Sequence, residues 1–385
     1  MVRQLRKGIT TRLEIDLSVL RDNFYALERY AKPAGVIAVL KGDAYGHGAV
    51  MVAKALQETN CSRCAVATLD EALLLKRNGI TLDIHLLGAI SSEQMEIAME
   101  EELIPFIAYP EALSVAEATA ARLGKRRRVH VKIDSGMGRF GLMLSDIPRL
   151  TEIMSNVKWV TIEGIATHLA RATDDPEFSG KQLEIFEEAA RAVERAAGHH
   201  LIRHALATMG VLLYRDLVAH DFVRVGSLLY GFAHTPIPPE VGVRTALSLK
   251  TELVQVKDIP KGWNLGYGNF IADRDMKTGL IPVGIVDGFM RASAFKAHVL
   301  VRGSRCKVYG ISADSAIIDL SSVPDARPGD EAVVVGSQGS EVISAYELGV
   351  ASGTNYAEIL MKVMTRVPRI FTERGVEVEE KSMVI

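Results

Sequence analysis

The chain has 385 residues, 48% apolar and 24% charged, a composition suited to a globular protein with a large core and more than one domain. A formal net charge of −2 gives no pull toward nucleic acid or a membrane surface, and no apolar run reaches the roughly eighteen residues a membrane helix needs. Met1 to Lys7 is charged with no apolar stretch behind it, so no secretory leader is read there and a cytoplasmic location is expected.

Residues 11–17 alternate as an early strand, and Asp16 or Ser18 is placed to cap a helix running to Tyr30. Eight short apolar runs then alternate with helical patterns, at 36–40, 64–68, 84–87, 105–108, 129–133, 162–168, 202–208 and 222–230. That cadence predicts an α/β fold, a closed (β/α)8 barrel over residues 1–240, with residues 1–12 able to pack with the β domain. An open doubly wound sheet would need a glycine-rich dinucleotide fingerprint after the first strand, which is absent. Ser179 is expected to cap a helix over 181–197 whose Leu183, Phe186, Ala190 and Val193 share one face. After about residue 240 the helical patterns stop. Runs at 247–256, 280–285, 298–301, 306–311, 316–320 and 331–335, divided by Pro260-Lys261-Gly262 and Pro328-Gly329-Asp330, predict a second, mostly-β domain over 241–385.

Two local features have plain readings. Cys61-Ser62-Arg63-Cys64 leads straight into a strand, without further metal ligands near by, so it is read as structural thiols. Lys125-Arg126-Arg127-Arg128 is read as a solvated face.

Chemistry is expected at the carboxyl ends of the barrel strands, which share one mouth. Lys41 closes the first of these strands and opens a turn with three glycines in seven residues, Gly42, Gly46 and Gly48. A lysine ending a buried strand must find a counter-charge or lose its proton, and a neutral amine is a nucleophile for aldehydes. Lys132 and Arg224 lie between apolar strand neighbours and so face the barrel interior, where a cation needs a partner. With Arg139, His168 and Thr208 at the same rim, the mouth suits ligands that bring carboxylate and phosphate.

The stretch Ala38-Val39-Leu40-Lys41-Gly42-Asp43-Ala44-Tyr45-Gly46-His47-Gly48 resembles the pyridoxal-phosphate attachment motif of the alanine racemase family, and residues 130–141, His-Val-Lys-Ile-Asp-Ser-Gly-Met-Gly-Arg-Phe-Gly, resemble its second signature. Thr167-His168, Val223-Arg224-Val225-Gly226, Tyr230-Gly231, Gly266-Tyr267-Gly268, Val283-Gly284 and Asp287-Gly288 extend the resemblance over nearly the whole chain. It implies that pyridoxal 5'-phosphate is held on Lys41 and that a small amino acid, alanine, is racemised to supply D-alanine for peptidoglycan. Lys41 would serve one face of the substrate Cα, and Tyr267, from the other subunit of a head-to-tail homodimer, the opposite face. Two bases are what inversion at carbon needs. Because a tyrosine ordinarily ionises near pH ~10, nearby positive charge must assist it, and His168 and Arg224 are placed for that role. Arg224 would contact the pyridine nitrogen and leave it unprotonated. Arg139 would hold the cofactor's phenolic oxygen and the substrate carboxylate, with Ala313 and Asp314 as further substrate contacts. Tyr45, Thr208, Gly226, Ser227 and Tyr356 would hold the phosphate, and Lys132 resembles a lysine that is carbamylated in many members. No metal is implied, and neither nucleic acid nor membrane is an expected partner.

The sequence departs from the family pattern at Ala207, Ile285 and Ala313, and Tyr356 comes one place earlier than an ungapped match predicts. Two of these changes delete bulk near the substrate passage, so a pocket wider than alanine needs is expected, which keeps racemisation of serine or lysine as an alternative. A pyridoxal-phosphate decarboxylase is a third reading. Arg224 and Tyr267 speak against it, and the extra β domain that brings Tyr267 speaks against a cofactor carrier without catalysis.

Overall fold

The computed structural model describes residues 10–216, 220–267 and 270–381. The first strand, β1 (Arg12–Asp16), leads into a helix, Leu17–Ala31, whose amino end is capped by the Asp16 carboxylate. Eight parallel strands follow: β2 (Gly35–Val39), β3 (Arg63–Val66), β4 (Asp83–Leu86), β5 (Ile104–Ile107), β6 (Arg127–Lys132), β7 (Val160–Ala166), β8 (Ile202–His204) and β9 (Phe222–Val225). They form one sheet in the order β8-β7-β6-β5-β4-β3-β2-β9, in which β9 pairs with β2. Backbone bonds from Asp221 to Arg203 (3.1 Å) and Arg224 to Leu206 (2.9 Å) join β9 to β8, so the barrel is nearly closed. The eight expected strands are present, with the last two shorter than their apolar runs: Ser227–Tyr230 turns into a 3-10 helix instead of extending β9.

The strands are buried on both faces, as parallel strands with flanking helices must be. Capping boxes start two of those helices, Thr68 with Glu71 and Ser91 with Gln94. The long helix begins earlier than expected. Pro176 takes its first position and Asp175 is the cap, accepting from Phe178 N at 2.9 Å, while Ser179 is buried inside the helix. A proline preceded by aspartate is the stronger start signal, because the proline nitrogen has no N–H to satisfy.

Beyond residue 246 the chain builds a second sheet, into which β1 is inserted. β10 (Leu247–Glu252) pairs antiparallel with β1, and β1 pairs in parallel with Arg369–Glu373. Residues 1–9 lie outside the described residues. The run 247–256 is two strands, parted at Leu253-Val254. Nor is this domain without helices: Ala345–Ser352 and Tyr356–Met361 start at the caps Ser344 and Asn355, each accepting a backbone N–H three residues on. Their brevity hides any 3.6-residue period, although Ser-x-x-Glu and Asn-x-x-Glu are legible start signals.

One apolar core runs through both parts and includes Leu13, Ile15, Phe24, Tyr230 and Phe371. Asn23, fully buried, ties the first helix to the chain leaving the barrel: its amide donates to Leu229 O (2.9 Å) and Arg244 O (2.7 Å) and accepts from Arg244 N (2.8 Å). No helix among the described residues is long and apolar enough to cross a membrane. Asn23→Ala leaves these backbone groups unpaired and is expected to cost about 2–4 kcal/mol, read as a lower urea midpoint by circular dichroism, with wild-type secondary structure in the absence of urea.

Candidate active site at the barrel mouth

Lys41 leaves β2 into a turn of unusual hand. Gly42, Asp43, Ala44 and Tyr45 have φ of 65°, 51°, 56° and 54°, a left-handed turn in which three of the four residues carry side chains. Each such residue costs roughly 1–2 kcal/mol, so its surroundings must hold the turn. Gly42 N donates to Glu71 Oε1 (2.6 Å), His47 Nδ1 bonds the carbonyls of Ala44 (2.9 Å) and Tyr45 (3.2 Å), and the Asp43 carboxylate accepts from Ala49 N (2.7 Å). The helix Tyr356–Met361 closes over the turn: a Cβ on Gly46 would lie 2.5 Å from Leu360 O, so this position admits only glycine.

A cavity of about 560 Å³ opens at this mouth, lined by Lys41, Tyr45, Lys132, Arg139, His168, Thr208, Arg224, Gly226, Ser227 and Tyr356. The structure therefore gathers ten of the residues singled out from sequence in one place, with Ala207, Asn355 and His234 beside them. Tyr45, Ser227 and Tyr356 converge. A Cβ on Gly226 would come within 2.5 Å of the Tyr45 hydroxyl, and Ser227 hydrogen-bonds Tyr356. Tyr356 thus reaches the hydroxyl cluster despite its shifted place in the sequence.

The cations are crowded. Burial, then Arg139 and Arg224, push the Lys41 amine below the usual lysine range against an opposing pull from Glu71. Burial, Arg224 and Arg139 bring Lys132 down to about 7; its amine donates to Ile133 O at 2.6 Å. His168 falls to about 3 for the same reasons and is neutral. Arg139 rides on a loop held by one carboxylate: Asp134 accepts from the backbone N–H groups of Gly136, Met137, Gly138 and Arg139 at 2.8–3.1 Å.

Arg224 is buried with neutral partners. It donates to the carbonyls of Thr167 (2.6 Å), Ala205 (3.2 Å) and His204, and its Nη1 lies 2.9 Å from His204 Nδ1. Guanidinium only donates, so His204 Nδ1 accepts and its Nε2 carries the proton, given to His130 Nδ1 at 2.7 Å. His130 Nε2 then donates to Glu163 (3.0 Å), whose carboxylate is also gripped by Arg63 at 2.9 and 3.1 Å. A directed chain thus joins Arg224 to the half-buried carboxylate of Glu163 on β7. Sequence reading missed His130, His204 and Glu163. One signal was available, since residues two apart on a strand share a face and Lys132 was already placed inward. The solvated reading of the basic run holds for Lys125 and Arg126, which are exposed, and is corrected for the other two: Arg127 is buried against Met99 O, and Arg128 pairs with Asp83 and Glu163. Cys61 and Cys64 are buried free thiols, with burial pushing Cys61 up to about 12.

Tyr267, Ala313 and Asp314 are not among the residues lining the cavity. Tyr267 stands 80% exposed on a hairpin of the second domain, whose Gly266 packs near Gly310, on the strand leading to exposed Ala313 and Asp314. Ile285, 47% exposed, is bonded to the same segment through Ser312 O. Gly268 lies outside the described residues.

The alanine racemase N-terminal domain model matches residues 15–234 and the C-terminal domain model residues 246–371. The chain belongs to the alanine racemase family. It is 36% identical over 363 residues to alanine racemase of Symbiobacterium thermophilum, covering 93% of this chain and 96% of the relative, and 32% identical to that of Methanococcus maripaludis (93% and 97%). The solved alanine racemase of Clostridium difficile 630 superposes with a TM-score of 0.90 at 28% identity, covering 98% and 100% of the two chains. That of Bacillus anthracis, with bound L-Ala-P, gives 0.88 at 28% identity (97% and 98%). The protein is thus an amino-acid racemase, an isomerase built as a barrel followed by a β domain.

The racemase barrel holds His47, His85, His130, His168 and His204 neutral, in each case chiefly through burial. Unfolded, each takes up a proton near pH ~6.5; folded, only below that. Across this window the unfolded state binds more protons, so stability falls as pH drops through about 6.5, by up to ~1.4 kcal/mol per pH unit per histidine. A urea midpoint that falls steeply from about pH 7 to pH 5 is the expected result, and a flat profile would contradict the buried neutral imidazoles.

Proposed function

We propose that the protein interconverts L- and D-alanine, with pyridoxal 5'-phosphate held on Lys41 and the partner subunit's Tyr267 completing each site. One observation carries the reading: a strained turn presents Lys41 to a cation-rich cavity, while Tyr267 stands exposed on the second domain, outside that cavity's lining. The residues present fit the cofactor. Hydroxyls of Tyr45, Thr208, Ser227 and Tyr356 and the side-chain-free backbone at Gly226 suit its phosphate, and the Lys41 amine suits its aldehyde. When bound, the cofactor supplies the carbonyl that captures the substrate amine and a ring that accepts the electron pair left at Cα.

This chain's own groups do the rest. Arg139 holds the substrate carboxylate. Lys41 moves a proton on one face of Cα, and burial with the neighbouring arginines lowers its proton affinity in the direction a base needs. Arg224, lowered to about 10 and still cationic at neutral pH, would hold the ring nitrogen of the cofactor as a donor that does not yield its proton. The directed chain through His204 and His130 to Glu163 fixes its orientation. On the opposite face the partner subunit's Tyr267 exchanges the second proton. Alanine is favoured as substrate by the family and by the Bacillus anthracis relative with bound L-Ala-P; the D-alanine formed would serve peptidoglycan. The deciding assay incubates the holoenzyme with a panel of L-amino acids in D2O. Deuterium at Cα together with D-product is expected, fastest for alanine. CO2 release, or no exchange with any substrate, would reject racemisation, and faster turnover of serine or lysine would reassign the substrate.

Shared sites make a sharper prediction. Lys41→Ala and Tyr267→Phe homodimers should each lose nearly all activity, whereas unfolding and co-refolding an equal mixture should restore about a quarter of wild-type sites, because each heterodimer keeps one intact site. Absence of recovery would place both residues in one subunit's site. Lys132, with a proton affinity near neutral, is proposed to add CO2 at its amine, releasing one proton and leaving a carbamate that pairs with Arg139. Native mass spectrometry in bicarbonate buffer should find one extra CO2 per chain, lost in Lys132→Ala.

A further inference from the structure

Glu71 makes a contact that its place in a helix does not require. It is the third residue of the helix Leu69–Arg77, and its capping box with Thr68 accounts for Oε2, which accepts from Thr68 N (3.3 Å) and Ala67 N (2.8 Å). The other oxygen, Oε1, reaches across to Gly42 N, 29 residues away, at 2.6 Å. One carboxylate therefore ties the carboxyl end of β3 to the first amide of the left-handed turn, next to Lys41. The rest of that turn is held at its far end, by His47 and Asp43. Lys41 is surrounded by cations: Arg139 and Arg224 act against its charge, Lys132 shares the mouth, and His168 beside it is neutral. Among the charges acting on Lys41, that of Glu71 is the anion.

We propose that Glu71 is a positioning residue for Lys41: its carboxylate pins the Gly42 amide, holds the left-handed turn at its start, and fixes the direction in which the lysine amine enters the barrel mouth. The charge has a second effect, since it offsets the arginines and lets Lys41 keep a proton once it has taken one. A carboxylate is suited to both tasks, because it accepts several backbone N–H groups at once with charge-assisted strength. The proposal rests on Lys41 being the cofactor-bearing acid/base.

Glu71→Gln keeps the acceptor and removes the charge; Glu71→Ala removes both; Thr68→Ala removes the cap alone. In full-length protein, hydrogen exchange at Gly42 should quicken roughly tenfold to a hundredfold in Glu71→Ala, with protection of β6 unchanged, and stay near wild type in Thr68→Ala. Affinity for pyridoxal phosphate should fall by a similar factor in Glu71→Ala alone. Glu71→Gln should keep Gly42 protected yet shift the pH profile of Lys41 reductive methylation, followed by mass spectrometry without cofactor, toward lower pH. Wild-type Gly42 exchange in Glu71→Ala, or equal effects in Thr68→Ala, would reduce Glu71 to a helix cap and overturn the proposal. If wild-type protein fails to take up cofactor at Lys41, the racemase reading falls, while exchange and methylation still judge Glu71.

Discussion

The constraint on which the site depends is the gathering of four cations at one barrel mouth. Lys41, Lys132, Arg139 and Arg224 line a single cavity, and the carboxylates near it are spent elsewhere: Asp134 on four backbone amides, Glu71 on three. Like charges in a low-dielectric space lower one another's proton affinity, and the weaker cations yield first. Arginine keeps its proton while Lys132 comes down to about 7, Lys41 is lowered and the histidine loses its charge. Repulsion among these charges thus favours loss of a proton from the lysines over loss from the arginines, and it leaves the mouth suited to an anionic ligand.

Arg224 shows how such a charge is tolerated. Direct pairing with a carboxylate would neutralise it and weaken its hold on a ligand. Instead, carbonyl dipoles surround it, and the compensating anion, Glu163, stands two imidazoles away. Each imidazole has one tautomer that satisfies both neighbours, so orientation is passed along without a proton having to move. The ring of His130 also explains Gly164, where a Cβ would sit 2.4 Å from that ring.

How much of this was legible follows from what kind of signal each part leaves. Barrel strands were readable because short apolar runs alternating with amphipathic helices have few other solutions, and Lys41, Lys132 and Arg224 stood out as charges on strands that had to be buried. Strand ends were less so: Ser227–Tyr230 is as apolar as a strand, and only Gly226 marks where the chain turns. Of the Arg63–Glu163–His130–His204 network only the inward place of His130, two residues from Lys132, was legible, since the sheet register that unites the members is a tertiary property. Tyr267 is the opposite case, suggested by resemblance and left by the single chain on an exposed hairpin.

The two halves of the chain are less separate than their sequence division implies. β1 enters the second sheet before the barrel begins, and the helix Tyr356–Met361 returns from the end of the chain to cover the Lys41 turn. Three residues with side chains remain left-handed there because Oε1 of Glu71, the His47 ring and the Asp43 carboxylate hold the segment by hydrogen bonds, with the Leu360 carbonyl packed against Gly46 at its end. Since some of those contacts come from the second domain's side of the chain, the β domain helps to fix the lysine as well as presenting Tyr267. Geometry at the reacting centre is thereby linked to the closure of the whole fold, which explains why so small a turn can sustain so much local strain.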